Sequence, residues 1–92
     1  MSRPRHYWYG IVRKMINMYP KLKGKDTPQA ISLVEAYEKE LSAAGDKAYA
    51  IEEILIKRNH QVGVAIKLGY SETTVKRWIS DFIFKVGKDM GY

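Results

Sequence analysis

The sequence predicts an all-α fold: a small domain of four to five helices that ends in a helix-turn-helix over about residues 60–88. Three observations point there. Apolar residues recur at three- and four-residue steps along most of the chain, which places them on single helical faces. No segment alternates with period two for long enough to make a strand. The prolines at 4, 20 and 28 all fall outside the periodic stretches. Ninety-two residues suit one domain, residues 1–92, with one modest core.

The first helix is expected from Pro4 or Arg5 to Tyr19, because Trp8, Ile11, Val12, Met15 and Tyr19 then share a face. Pro20 should stop it, since the residue before a proline is pushed away from helical angles. The stretch PKLKGKD is then a basic loop. Thr27 and Pro28 form a good helix start: the hydroxyl can cap, and proline is tolerated at the first helical position. That second helix should run to about Ala44 with Ala30, Val34, Tyr37 and Leu41 inward, and Gly45 should close it. Asp46 is expected to cap a third helix on which Ile51, Ile54, Leu55 and Arg58 share a face.

The stretch from Gln61 to Ser80 meets the steric demands of a helix-turn-helix. Ala65 is the small residue needed where the second helix crosses the first. Gly69, four residues on, tolerates the left-handed backbone of the turn. Val75 and Trp78 would pin the second helix against Val64 and Leu68, and Ser71 is a natural N-cap. The motif core is therefore Ala65, Leu68, Gly69, Val75 and Trp78. Beyond it, Ile79, Phe82, Ile83, Phe84 and Val86 cover more than one face. The Tyr7, Trp8 and Tyr9 cluster should pack there, leaving Phe84 over for a partner such as a second copy of the chain.

The charge pattern suggests what such a motif would bind. Sixteen Lys and Arg against ten Asp and Glu give a net charge of +6. Residues 1–25 hold seven bases and no acid, residues 26–56 seven acids and two lysines, and residues 57–92 seven bases and three acids. Two basic ends flanking an acidic middle suit a polyanionic partner, here double-stranded DNA. Recognition helices meet base edges with their N-terminal residues. The base-reading candidates are thus Glu72, Thr73, Lys76, Arg77 and Ser80, on a recognition helix over about residues 71–86. Lysine or arginine would donate to guanine, glutamate would accept from cytosine, and threonine would touch a base or a thymine methyl. Arg3, Arg5, His60, Gln61, Lys67 and Ser71 are the phosphate candidates.

Other functions find little support. With no cysteine there are no disulfides, thiolate metal sites or cysteine nucleophiles. His6 and His60 lack metal-ligand spacing, and Glu52 and Glu53 point to different sides of a helix. No glycine-rich phosphate cradle or nucleophile elbow occurs. The expectation is no enzyme, no cofactor and no metal site. No apolar run approaches a membrane span, and the opening MSRPRHYWYG lacks the apolar centre of a secretory signal.

The opening RPRHYWYG with a helix ending in MYP, and the ending VGVAIKLGYSETTVKRWISDFIFKVGKDMGY, resemble small phage and prophage transcriptional regulators of the RinA-like kind. The C-terminal half is also similar to sigma-factor region 4. The resemblance implies sequence-specific DNA binding in the cytoplasm of a bacterial host, control of phage genes and contact with RNA polymerase. It carries over to Ser71, Thr74, Lys76, Arg77 and, as core, Trp78. Gly63 departs from the good helix former expected in the first motif helix. A small-terminase-like packaging protein and a protein-interaction module without DNA binding are the alternatives.

Overall fold

The computed structural model describes residues 6–92, and these form an all-α domain. The helices are α1 (Tyr9–Asn17), α2 (Tyr19–Leu22), α3 (Pro28–Ala43), α4 (Ala48–Ile51), α5 (Gln61–Leu68) and α6 (Glu72–Asp89). A 3₁₀ turn (Gly45–Lys47) leads into α4, which continues as a π turn (Glu52–Ile56). The expected start at Pro4 or Arg5 lies outside the described residues.

Helix α6 is the post of the fold. It buries Val75, Ile79, Phe82, Ile83, Val86 and Gly87, and α1, α3, α4 and α5 all pack against it. Trp8, 5% exposed, lies across its C-terminal half. The indole stacks on His6 at 5.1 Å and on Tyr92 at 5.6 Å, and Phe84 tilts against it at 5.6 Å. Trp8 and Tyr9 thus pack as the sequence led one to expect, whereas Tyr7 stays exposed. Phe84 is not the leftover expected: it is half-buried against Trp8 and His6.

Pro20 does not end helical structure. Continuing α1 through it would set the proline ring against a carbonyl one turn back. The chain instead breaks at Met18, whose N–H reaches the carbonyls of both Lys14 and Met15, and restarts with Pro20 in the first turn of α2. Pro20–Leu22 are therefore helical, not loop. Tyr19 anchors this corner: its hydroxyl donates to the Glu38 carboxylate, and Lys23 Nζ reaches both Glu38 at 2.8 Å and the Tyr19 hydroxyl at 3.2 Å.

Two inward faces match the expectation in part, with Trp8 and Val12 buried before and on α1, and Ala30 and Tyr37 on α3. Ile11 is 48% exposed, and α1 buries Tyr9, Val12 and Ile16. On α3 the buried residues are Ala30, Leu33, Ala36 and Tyr37, with Val34 and Leu41 only half-buried. The caps hold: Thr27 Oγ1 accepts from Ala30 N at 3.2 Å, and Gly45 takes φ +60° after α3. Asp46 does not cap α4; it lies inside the 3₁₀ turn, and Lys47 precedes α4 without a side-chain cap.

The end of the π turn holds the largest departure. Arg58 was expected on the buried face with Ile51, Ile54 and Leu55, but it is exposed with φ +62°. A left-handed backbone costs a residue bearing a Cβ roughly 1–2 kcal/mol. Two wide hydrogen bonds impose it, Lys57 N to Glu52 O at 3.0 Å and Asn59 N to Glu53 O at 2.8 Å. They close the helix as a glycine-type C-cap would, lengthened by the extra residue of the π turn.

Two predictions follow from the packing. A Cβ on Gly87 would stand 2.2 Å from Trp8 Cζ3, and the ring, held between His6 and Tyr92, has nowhere to retreat. Gly87→Ala should cost about 1–3 kcal/mol by overpacking, read as a lower midpoint in chemical denaturation. Tyr37 is 1% exposed, and its hydroxyl has no hydrogen-bond partner among the described residues; burial, then the Glu52 carboxylate, pushes the phenol up. Tyr37→Phe removes an unsatisfied polar group, so stability should hold or rise by about 1 kcal/mol. A clear loss in the same denaturation assay would mean that this hydroxyl is satisfied in solution.

Candidate nucleic-acid interface

Helices α5 and α6 meet through a turn set by local chemistry. Gly69 adopts φ +80°, ψ +24°, and two reversed hydrogen bonds close α5: Tyr70 N to Ala65 O at 3.0 Å and Gly69 N to Ile66 O at 3.2 Å. This is a Schellman closure, for which glycine is the low-cost residue at the left-handed position. Ser71 then starts α6. Its Oγ accepts from Thr74 N at 3.1 Å and bonds the Thr74 hydroxyl at 2.9 Å. Glu72 in the first turn favours the positive end of the helix dipole. Ala65, Val64 and Val75 are buried where α5 packs against α6.

The rest of the expected motif core sits further out. Leu68 and Trp78 are half-buried and pack on the edge of the core. Trp78 meets the Tyr70 ring edge-on at 4.8 Å, and Lys47 Nζ lies over it at 5.7 Å. Gly63 is exposed in α5 with open space around an added Cβ. The outer side of α5 and its turn carries exposed apolar residues that the sequence reading passed over: Val62, Ile66 and Tyr70, with Ile66 75% exposed.

Thr73, Lys76, Arg77 and Ser80 recur at three- and four-residue spacing and share one face of α6. Glu72, Thr73, Lys76 and Arg77 are exposed. Among the described residues neither Lys76 nor Arg77 has a carboxylate within ion-pair distance. Ser80 does not belong with them: it is half-buried, and its Oγ lies 3.0 Å from the Tyr9 hydroxyl of α1. The same face continues to Phe84 and Gly87, where Trp8 lies. The N-terminal aromatics thus cover this face from Ser80 onward and leave its first two turns open.

The phosphate candidates divide. His60 caps α5, Nδ1 accepting from Val62 N at 3.3 Å, and Gln61 is half-buried beside it. Lys67 is exposed, lies 5.5 Å over the Tyr49 ring, and is held above the ordinary lysine range by hydrogen bonding to that phenol. Ser71 is committed to its cap. Arg3 and Arg5 lie outside the described residues. Arg13, Asn17, Arg58 and Asn59, which border a groove with His60 and Gln61, were not picked out from the sequence. The polar run Lys57–Gln61 was the only sign of Arg58 and Asn59, and it reads equally as a helix end; nothing in the sequence joined Arg13 and Asn17 to it.

Among the described residues no group of His, Cys, Asp and Glu is placed to hold a metal ion, and no helix is long and apolar enough to cross a membrane. No protein-family model, curated protein or solved structure matches this chain.

The turn geometry is directly testable. Gly69→Val puts a β-branched residue at φ +80° and should cost about 1–2 kcal/mol or more, seen as a lower thermal midpoint. An unchanged midpoint would mean that the turn relaxes to another backbone conformation in solution.

Proposed function

We propose that this chain is a sequence-specific DNA-binding transcriptional regulator of phage or prophage genes, acting by binding rather than catalysis. Helices α5 and α6 serve as the helix-turn-helix, and the first two turns of α6 enter the major groove of double-stranded DNA. One observation carries the reading: Thr73, Lys76 and Arg77 stand exposed on one face just after a capped, Schellman-closed turn, without acidic partners among the described residues. A helix fits the roughly 12 Å width of the major groove, and its N-terminal residues are the ones that reach base edges.

In this reading Arg77 and Lys76 donate to guanine, Thr73 contacts a base or a thymine methyl, and Glu72 selects for cytosine while repelling misplaced phosphates. Lys67, His60 and Gln61 hold the backbone beside them. Ser80 has no part, being bound to Tyr9. The resemblance of both chain ends to RinA-like regulators supports the role in phage gene control and extends it to contact with RNA polymerase. A protein-interaction module is the second reading, favoured by the exposed Val62, Ile66 and Tyr70.

Titration with duplex DNA at several salt concentrations separates the two. DNA binding should weaken steeply as salt rises, because each neutralised phosphate releases counterions. A flat or absent response would remove the DNA reading. On the selected site, Arg77→Ala should lose roughly 1–3 kcal/mol and relax preference at one base pair. Equal weakening on all sequences would move Arg77 to the phosphate contacts.

A further inference from the structure

A groove of about 450 Å³ opens where α1 passes the turn between α4 and α5. Its lining is Arg13 and Asn17 of α1, Ile54 of the π turn, and the run Arg58, Asn59, His60 and Gln61. Ile54 is the one apolar member, and no carboxylate lines it. Arg13 and Arg58 both line the groove, and among the described residues neither guanidinium has a carboxylate within ion-pair distance. Glu53, which precedes this run, is already engaged: it accepts from Lys57 Nζ at 2.9 Å and Asn59 Nδ2 at 2.6 Å, which hold its carboxyl below the usual range.

The donors available match an oxyanion. Each guanidinium offers five N–H groups in a fork that fits phosphate oxygens. His60 Nδ1 already accepts from Val62 N, so the neutral ring carries its hydrogen on Nε2, a further donor. Asn17 and Gln61 add side-chain amides. Arg58 is also the residue held at φ +62°. Glycine would take that backbone without strain, so helix closure gives no reason for an arginine there. Side chains held in such strained conformations cluster at ligand sites.

From this we infer that the groove binds a phosphate group, gripped between Arg13 and Arg58 with His60, Asn17 and Gln61 as additional donors. The inference goes beyond base reading by α6 and does not depend on it. The phosphate has two sources, the backbone of a nucleic acid or a small phosphorylated compound.

The test is a titration of the full chain with inorganic phosphate, followed by the backbone amide signals of Asn59, His60 and Gln61 in NMR. Saturable shifts confined to the groove are expected. Arg58→Gly should weaken phosphate binding by about tenfold or more, the signature of losing a charge-assisted fork, while the melting midpoint stays level or rises as the backbone strain is released. Arg13→Gln should lose a similar factor, and Lys25→Ala, an equal charge change on the exposed loop before α3, should lose none. Random duplex DNA identifies the source. If Arg58→Gly weakens it by a like factor, the phosphate is the nucleic acid's own; if duplex affinity is unchanged, the groove takes a small phosphate compound. Phosphate binding without any duplex binding would remove the DNA reading and leave this site standing. Absent or non-saturable shifts, or equal losses in Lys25→Ala and Arg58→Gly, would overturn it.

Discussion

Burying the apolar band of α6 is the requirement on which the other helices depend. Val75, Ile79, Phe82, Ile83, Val86 and Gly87 span about 140° of the helix at 3.6 residues per turn, wider than one neighbour can cover. Helices α1, α3, α4 and α5 therefore assemble around one axis. Gly87 lets Trp8 lie directly against the helix, and Phe84, His6 and Tyr92 fix the indole on its other sides. Trp8 and Tyr9 are thereby part of the core.

The same packing delimits the candidate DNA surface. The face bearing Thr73, Lys76 and Arg77 runs on without interruption through Ser80 to Phe84 and Gly87. Nothing on α6 itself marks where the open part ends. Tyr9 does so by engaging Ser80, and Trp8 by covering the turns beyond. Proposed function thus occupies the part of α6 that the core leaves uncovered. The groove between α1 and the turn after α4 arises similarly, since it exists only because α1 brings Arg13 and Asn17 to residues more than forty positions away in the sequence.

Local backbone chemistry was legible in the sequence. Thr27, Ser71 and Gly69 act within three to five residues of themselves, by a hydroxyl accepting an orphan N–H or by access to positive φ. The break after α1 was legible as well, though its outcome was not: whether the chain turns to loop or restarts a helix depends on Tyr19 finding Glu38 and Lys23. The inward faces of α1 and α3 were legible only in part: Trp8, Val12, Ala30 and Tyr37 are buried as expected, while Ile11 is exposed and Leu33 takes the central place expected of Val34. Both candidates are apolar, and the position of the neighbouring helix chooses between them.

By itself, then, the sequence determined the all-α class, the Thr27 and Ser71 caps and the Gly69 turn, because each follows from steric and hydrogen-bonding rules that act over a few residues. It also placed Lys76 and Arg77 in the exposed first turns of α6, through their spacing from Ser71. Only the tertiary structure decided that Ser80 and Phe84 belong to the packing of the N-terminal segment, that Trp78 sits at the edge of the core, and that Arg58 turns outward at a left-handed backbone. Those outcomes rest on contacts between residues far apart in the chain and on one extra residue in a π turn, and neither leaves a periodic signal in the sequence.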